Sequence, residues 1–356
     1  MRAAVIGEDH AFEVDQVADP TPEPGQLVVR VTACGICGSD LKARPAMPAG
    51  TIMGHEFCGE VVAVGEGVGA PWREGARAAV LPVMSCGHCP WCRSGEVAHC
   101  EVARLIGLGG GPGGFAEFAA VSADLSFALP QGLPEAHGAL VEPFAVGLHT
   151  ARVAGITSGD SVLIIGAGPV GLTTAQWARV LGAKDVVVSD PIAARRELSA
   201  QFGATEAIDP SADEPGQGFN VVIDCVGKPG LLDKCVAATV TKGRVVVAGV
   251  CAEPDPYLPV MALLKELTIS FSVYYRPEEF EFVINAFETG QIDPDPLVTQ
   301  IVALEQLDSA FASLTGSATD SKILVDPRQV PGGTGRVNRT ASQSERRHQA
   351  GDAEGA

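Results

Sequence analysis

Cys86, Cys89, Cys92 and Cys100 follow one another as C-x2-C-x2-C-x7-C. Spacing this close lets neighbouring thiolates converge on one tetrahedral ion, and four thiolates close its shell. A closed shell leaves no position for substrate, so the expected role is a structural zinc. Disulfides are the competing use of the same residues. The two-residue spacers strain such loops, and a reducing cytosol opposes them. A zinc-ribbon nucleic-acid module would use the same atoms, but the intervening residues lack its basic and aromatic character.

A second motif, Gly166-Ala-Gly168-Pro169-Val170-Gly171, reads G-x-G-x-x-G. Alone it is weak, but it follows the apolar run VLII (162–165) and opens a helical pattern, the context a dinucleotide site requires. Gly166 allows the tight turn, Gly168 lets backbone approach the pyrophosphate, and Gly171 lets helix pack close to sheet. The phosphates then meet free N–H groups and the positive end of the helix dipole. Asp190 ends the next strand pattern, at the distance expected for accepting hydrogen bonds from the adenosine ribose. A carboxylate there repels a 2′-phosphate, which favours NAD over NADP. Arg195 and Arg196 could reach a phosphate; their other reading is helix-surface charge. The cluster GLGGGPGG (107–114) precedes an alternating, strand-like FAEFAAV and opens no helix, so it reads as a flexible connection.

The surrounding elements are arranged to hold such sites. The chain has 356 residues, 46% apolar and 19% charged, enough for two ordinary globular domains. Residues 1–145 read as β-rich, with short runs such as Leu27–Val31, Val61–Val64 and Ala78–Val83 between Gly, Pro and Asp. From Ser161 onward strands and helices alternate: 162–165, 172–183, 186–190, 194–204, 220–227, 231–240 and 243–250. That alternation means βαβ units on a parallel sheet covered on both faces. A helix (EEFEFVINAFETG) and a closing strand (SKILVD) follow and are expected to return to the first domain. The tail 328–356 has too few large apolar residues to offset its ordering entropy and is expected to be disordered. A net charge of −18 speaks against nucleic acid and anionic membrane as partners. The N-terminal apolar run is broken by charges too early for a signal peptide, so the expected location is the cytoplasm.

CGICGSD (34–40), GHE (54–56), the four-cysteine lobe, LVEPFAVGLHT (140–150) and the GAGPVG turn occur in this order. Together they make the chain resemble the zinc-dependent medium-chain alcohol dehydrogenases over nearly its whole length to Asp326. The VEP context is similar to the polyol, butanediol and threonine dehydrogenase-like branch. The resemblance implies an α/β fold: a GroES-like β-rich catalytic domain (1–145 and 285–327, with the structural zinc lobe at 85–101) and a Rossmann domain with a doubly wound parallel sheet (146–284). It also implies a catalytic zinc, the second per chain, with Cys37, His55, Glu56 and Glu142 as its ligand candidates. Glu56 exchanges with water in some members; Glu142 stands where others carry Cys, Asp or Glu. A Cys/His/carboxylate set with an open position suits a catalytic zinc.

The implied reaction is hydride transfer from a secondary alcohol, polyol or amino alcohol to NAD, giving a ketone. Cys37, Ser39, His55 and Glu56 would be the catalytic residues, with Ser39 passing the alcohol proton outward. An NADPH-dependent aldehyde or ketone reductase and a non-catalytic nucleotide-binding protein are the alternatives. The resemblance also implies a homodimer or homotetramer. Two features depart from it: Lys42 stands where many members have His, and the stretch from Asp40 to Gly54 is short. Cys34 forms C-x-x-C with Cys37, a spacing also used by redox pairs. Cys58, Cys225, Cys235 and Cys251 sit in apolar runs and are expected to be buried. His149 is expected in core or cleft wall rather than on the metal.

Overall fold

The computed structural model describes residues 1–213, 215–316 and 320–330. Six parallel strands form one sheet in the spatial order Glu206–Ile208, Asp185–Ser189, Ser161–Ile165, Phe219–Asp224, Thr239–Val247, Thr268–Phe271. In chain order this is 3-2-1-4-5-6, the arrangement of doubly wound dinucleotide-binding folds. The central strands are continuously apolar because both faces are covered. Val162 and Ile164 pack on one side with Trp177 and Val188, while Leu163 packs on the other with Val222 and Cys235.

Beside two two-stranded sheets, Arg2–Ile6 with Phe12–Gln16 and Val83–Met84 with Arg104–Leu105, a seven-stranded sheet runs in the order Val298–Val302, Lys322–Val325, Gln26–Gly35, Glu56–Val64, Arg77–Val80, Ser126–Ala128. Phe118–Ser122 also pairs with Gln26–Gly35. Chain-distant residues meet here: Leu324 lies opposite Gly35 and Val325 opposite Cys34. That register brings Lys322 beside the segment leading to Cys37.

The helix Glu135–Val153 packs against the helices Pro169–Val180 and Pro277–Glu288 and the strand Glu56–Val64. It is buried from His137 to Ala151 almost without interruption. The β-rich reading of residues 1–145 missed its first half, because a helix buried on nearly all sides shows little amphipathic period. The expected helix 231–240 stops at Ala238, and Thr239 already begins a strand.

Other expectations are corrected as well. The 107–114 glycines are not a loose tether: a Cβ on Gly107 or Gly113 would lie 2.2 or 2.4 Å from the Gly54 carbonyl oxygen. Gly113, Gly114 and Phe115 also donate backbone hydrogen bonds to Ile52, Gly54 and Met53. This cluster therefore holds the backbone just before His55. Cys58 and Cys235 are buried, but Cys225 and Cys251 are only half-buried, and the Cys251 thiol faces the Glu253 carbonyl. Of the expected disordered tail, 331–356 lies outside the described residues. Arg328 bonds Asp326 and pairs with Glu135 at 2.8 Å. No helix among the described residues is long and apolar enough to cross a membrane.

Candidate active site

The four cysteines converge. Cys89 caps the short helix Pro90–Arg93, its sulfur accepting from the Cys92 N–H. All four thiol sulfurs lie within 4.8 Å of one another. Cys86 Sγ is 3.9 Å from Cys92 Sγ and 3.6 Å from Cys100 Sγ, and Cys89 Sγ is 3.5 Å from Cys92 Sγ. A tetrahedral zinc with bonds of about 2.3 Å has sulfur–sulfur edges of about 3.8 Å. A disulfide would need about 2.05 Å. The donor set thus fits zinc and not a pair of bridges. Backbone N–H groups of His88 and Cys89 pull the Cys86 thiol down to about 6, favouring the thiolate a metal requires.

Cys37, His55 and Glu56 form the second cluster, with ligand atoms all within 4.8 Å of one another. Cys37 caps the helix Gly38–Ala43. His55 follows the glycine-clamped backbone, and Glu56 begins the strand that pairs with Gln26–Gly35. Asp40, fully buried, organises the group. Its Oδ2 accepts the Cys37 N–H at 2.9 Å, and its Oδ1 faces His55 Nδ1 at 3.0 Å. The Asp40 partner on Nδ1 fixes the ring and leaves Nε2, which faces Ser39, as the nitrogen available to a metal. Burial opposes charge on the ring, but Asp40 outweighs it and holds the His55 pKa well above its ordinary value. A basic imidazole oriented this way is a strong metal donor. Ser39 Oγ stands 3.3 Å from His55 Nε2.

Two carboxylates, Glu56 inside this cluster and Glu142 beside it, each have their own partner. The buried Lys322 ammonium reaches Glu56 Oε1 at 2.7 Å, Oε2 at 2.6 Å and the Ile36 carbonyl at 3.0 Å. Burial lowers the Lys322 pKa, yet Glu56 more than offsets it and the net shift is upward. Glu142 is not in the mutual 4.8 Å set. Its Oε1 accepts from the Tyr275 hydroxyl at 2.8 Å. Burial, with the Glu56 charge adding to it, pushes the Glu142 carboxyl up to about 7. His149 is outside the cluster, with Nδ1 3.0 Å from Glu279 Oε2.

The glycine turn sits between the first strand of the parallel sheet and the helix Pro169–Val180. Gly166 has φ +100°, and a Cβ on Gly171 would lie 1.8 Å from the Gly166 carbonyl oxygen. Around Gly168 nothing lies within 4 Å of that point, so this edge is open. Pro169 and Val170 form the first turn of the helix. Asp190 is buried; its Oδ2 accepts the Ala167 N–H and its Oδ1 the Ile192 N–H, each at 2.8 Å. The carboxylate expected to meet a ribose therefore also ties the turn to the next strand. Arg195 lies 4.0 Å from that carboxylate. Arg196 is engaged by the Asp190 carbonyl and the Asp209 carboxylate.

Sequence reasoning missed Asp40, Lys322 and Tyr275. Asp40 had a signal: an acidic residue three positions after Cys37, where it can close back on the helix start. A lysine heading the apolar run KILV was a weaker one. Nothing in the string linked Tyr275 to Glu142.

Comparison with known proteins agrees with this layout. Residues 23–131 match the family model for the alcohol dehydrogenase GroES-like domain, and residues 169–289 match that for zinc-binding dehydrogenases. The chain is 32% identical to the (R,R)-butanediol dehydrogenase of Bacillus subtilis (strain 168), over 92% of this chain and 100% of that protein. A zinc-binding dehydrogenase of Sinorhizobium meliloti 1021, solved bound to NADP, superposes with a TM-score of 0.85 at 34% identity, covering 92% of this chain and 99% of that one. An alcohol dehydrogenase of E. coli CFT073 in complex with NADH gives 0.85 at 32% identity, with the same 92% and 99% coverage. With its GroES-like and Rossmann folds and its two ligand clusters, the chain belongs to the zinc-dependent medium-chain alcohol dehydrogenase family.

Proposed function

We propose that this protein oxidises a secondary alcohol, polyol or amino alcohol to the ketone, reversibly, with NAD as hydride acceptor. The observation that carries the reading is the convergence of Cys37, His55 and Glu56, with Ser39 Oγ 3.3 Å from His55 Nε2. Zinc held by Cys37, His55 and a carboxylate would supply Lewis acidity, and bound nicotinamide the redox chemistry. The chain's own groups orient the substrate and move its proton. Half-buried Ser39 lies beside the candidate ligands, where its hydroxyl can accept a proton from a substrate hydroxyl and release one outward. Lys42, one turn on, is engaged by the Val250 carbonyl at 2.8 Å, so it bridges rather than extends that path. Asp40 keeps His55 oriented throughout.

Gly166, Gly168 and Gly171 with the helix start are the candidate pyrophosphate cradle, and Asp190 the ribose acceptor. A buried carboxylate at that strand end supports NAD. Arg195 and the NADP-bound relative support the second reading, an NADPH-dependent reductase. We also read the protein as a cytoplasmic homodimer or homotetramer, associating through the exposed edge of the parallel sheet, with zinc on Cys86, Cys89, Cys92 and Cys100 in a structural role.

The test is metal analysis of the purified protein, then an alcohol and polyol panel with each cofactor, followed by reduced-nicotinamide absorbance. Two zinc ions per chain and NAD-dependent turnover are expected. One zinc and no turnover with either cofactor would sink the reading in favour of a non-catalytic protein.

A further inference from the structure

Three consecutive residues, Tyr274, Tyr275 and Arg276, each engage a different part of the molecule. Tyr274 has φ +62°, a left-handed backbone that an aromatic residue adopts only when its surroundings hold it there. Its ring packs edge-on against His99 of the four-cysteine lobe, with centroids 5.6 Å apart. The next residue points inward: the Tyr275 ring lies on Phe280, and its hydroxyl donates to Glu142. Arg276 then returns to the lobe, its Nε 2.9 Å from Glu96 Oε1 and its Nη2 2.7 Å from the Ser94 carbonyl. The Arg276 N–H donates to Glu279 Oε2, the oxygen that also faces His149. His149 and Glu142 are seven residues apart on one helix, hence on the same face.

The result is a closed circuit. The strap 274–276 is fixed to the helix at Glu142 directly and at His149 through Glu279. It is fixed to the metal lobe at His99, Glu96 and Ser94. We infer that Tyr275 is a positioning residue for Glu142, and that the four-cysteine lobe sets its place through Tyr274 and Arg276. This rests on the proposed metal centre. The buried Glu142 has its Oε1 engaged by Tyr275 and lies outside the Cys37–His55–Glu56 set. In the proposed centre Glu56 and Glu142 would be alternative carboxylate donors, and the strap would bias which one serves.

The experiment uses full-length holoenzyme and its cobalt-substituted form. Tyr275→Phe keeps the ring against Phe280 and removes only the hydroxyl. Loss of a partner to a ligating or near-ligating group changes metal affinity by about 10-fold or more. Tyr275→Phe is expected to change affinity at the Cys37 centre by that factor, measured by chelator competition, and to shift the cobalt absorption bands. Arg276→Gln should give a smaller change of the same sign with the lobe still loaded. In a Glu142→Gln background the Tyr275→Phe effect should disappear, which a general packing role would not produce. Unchanged cobalt bands and affinity in Tyr275→Phe, with two metals bound per chain, overturn the inference alone. A wild type that binds metal only at the four cysteines overturns the proposed centre and this inference with it.

Discussion

The Lys322 ammonium lies 2.7 and 2.6 Å from the two oxygens of Glu56, and side-chain exposures of 0% and 1% leave neither group in contact with solvent. The pair joins the last strand of the fold to the candidate reactive centre. Breaking a buried pair from one side leaves an uncompensated charge, which costs about 3–5 kcal/mol. Lys322→Met is expected to lose that much in denaturant unfolding. Adding Glu56→Gln should recover much of it. A loss below about 1 kcal/mol, the worth of a surface pair, would contradict the burial argued here.

The glycine turn separates folding from binding. A Cβ at residue 171 would meet the Gly166 carbonyl, whereas one at 168 meets nothing within 4 Å. Gly171→Ala should therefore lower thermal stability and cofactor affinity together. Gly168→Ala should leave the melting temperature within a degree or two while weakening NADH binding about tenfold or more, read by nucleotide fluorescence. Equal loss of stability in both would contradict the open edge at 168, and unchanged NADH affinity in Gly168→Ala would place the phosphates elsewhere.

What was legible in the string follows the range of each signal. The C-x2-C spacing and the glycine turn are local, and geometry over a few residues dictates their use. Apolar runs such as VLII and NVVID announce buried parallel strands for the same reason. The Cys37–His55–Glu56 set needed a family resemblance, because strand pairing and not spacing brings Cys37 beside Glu56. Lys322 was harder: its partner lies 266 residues away, and only the antiparallel register of the last strand against Gly35 and Cys34 joins them. The helix Glu135–Val153 hid because full burial erased the polar stripe that usually marks a helix.

Glu279, which belongs to neither candidate ligand cluster, gives a separate pH signature. Burial raises its pKa, but the His149 ring, the Arg276 N–H and Arg152 outweigh that, and the net shift is downward. A carboxylate whose folded pKa is depressed stabilises the protein above its unfolded pKa of about 4.3, and that contribution fades as pH falls through the folded value. Glu279→Gln is therefore expected to cost about 2 kcal/mol at pH 7, the worth of one charge-assisted hydrogen bond. The gap to wild type should begin to narrow below the unfolded pKa of about 4.3 and go on closing as pH falls through the lower folded value. A gap that stays constant across this range in urea titrations would show that ionised Glu279 is not the source.

The outer edge of the parallel sheet predicts self-association. Among the described residues, Thr268–Phe271 pairs only with Thr239–Val247, so its other edge offers free N–H and C=O groups. Beside it Leu263, Leu264 and Phe271 are 73%, 72% and 71% exposed. An open edge next to clustered apolar side chains invites pairing, and a two-fold axis lets the same patch serve both copies. Light scattering is expected to give twice the chain mass, and the melting temperature should rise with protein concentration. Phe271→Glu would place two like charges near the axis, and the species should fall to one chain mass. A wild type that runs as a monomer at micromolar concentration would overturn the predicted self-association, and a Phe271→Glu variant that stays dimeric would move the interface elsewhere.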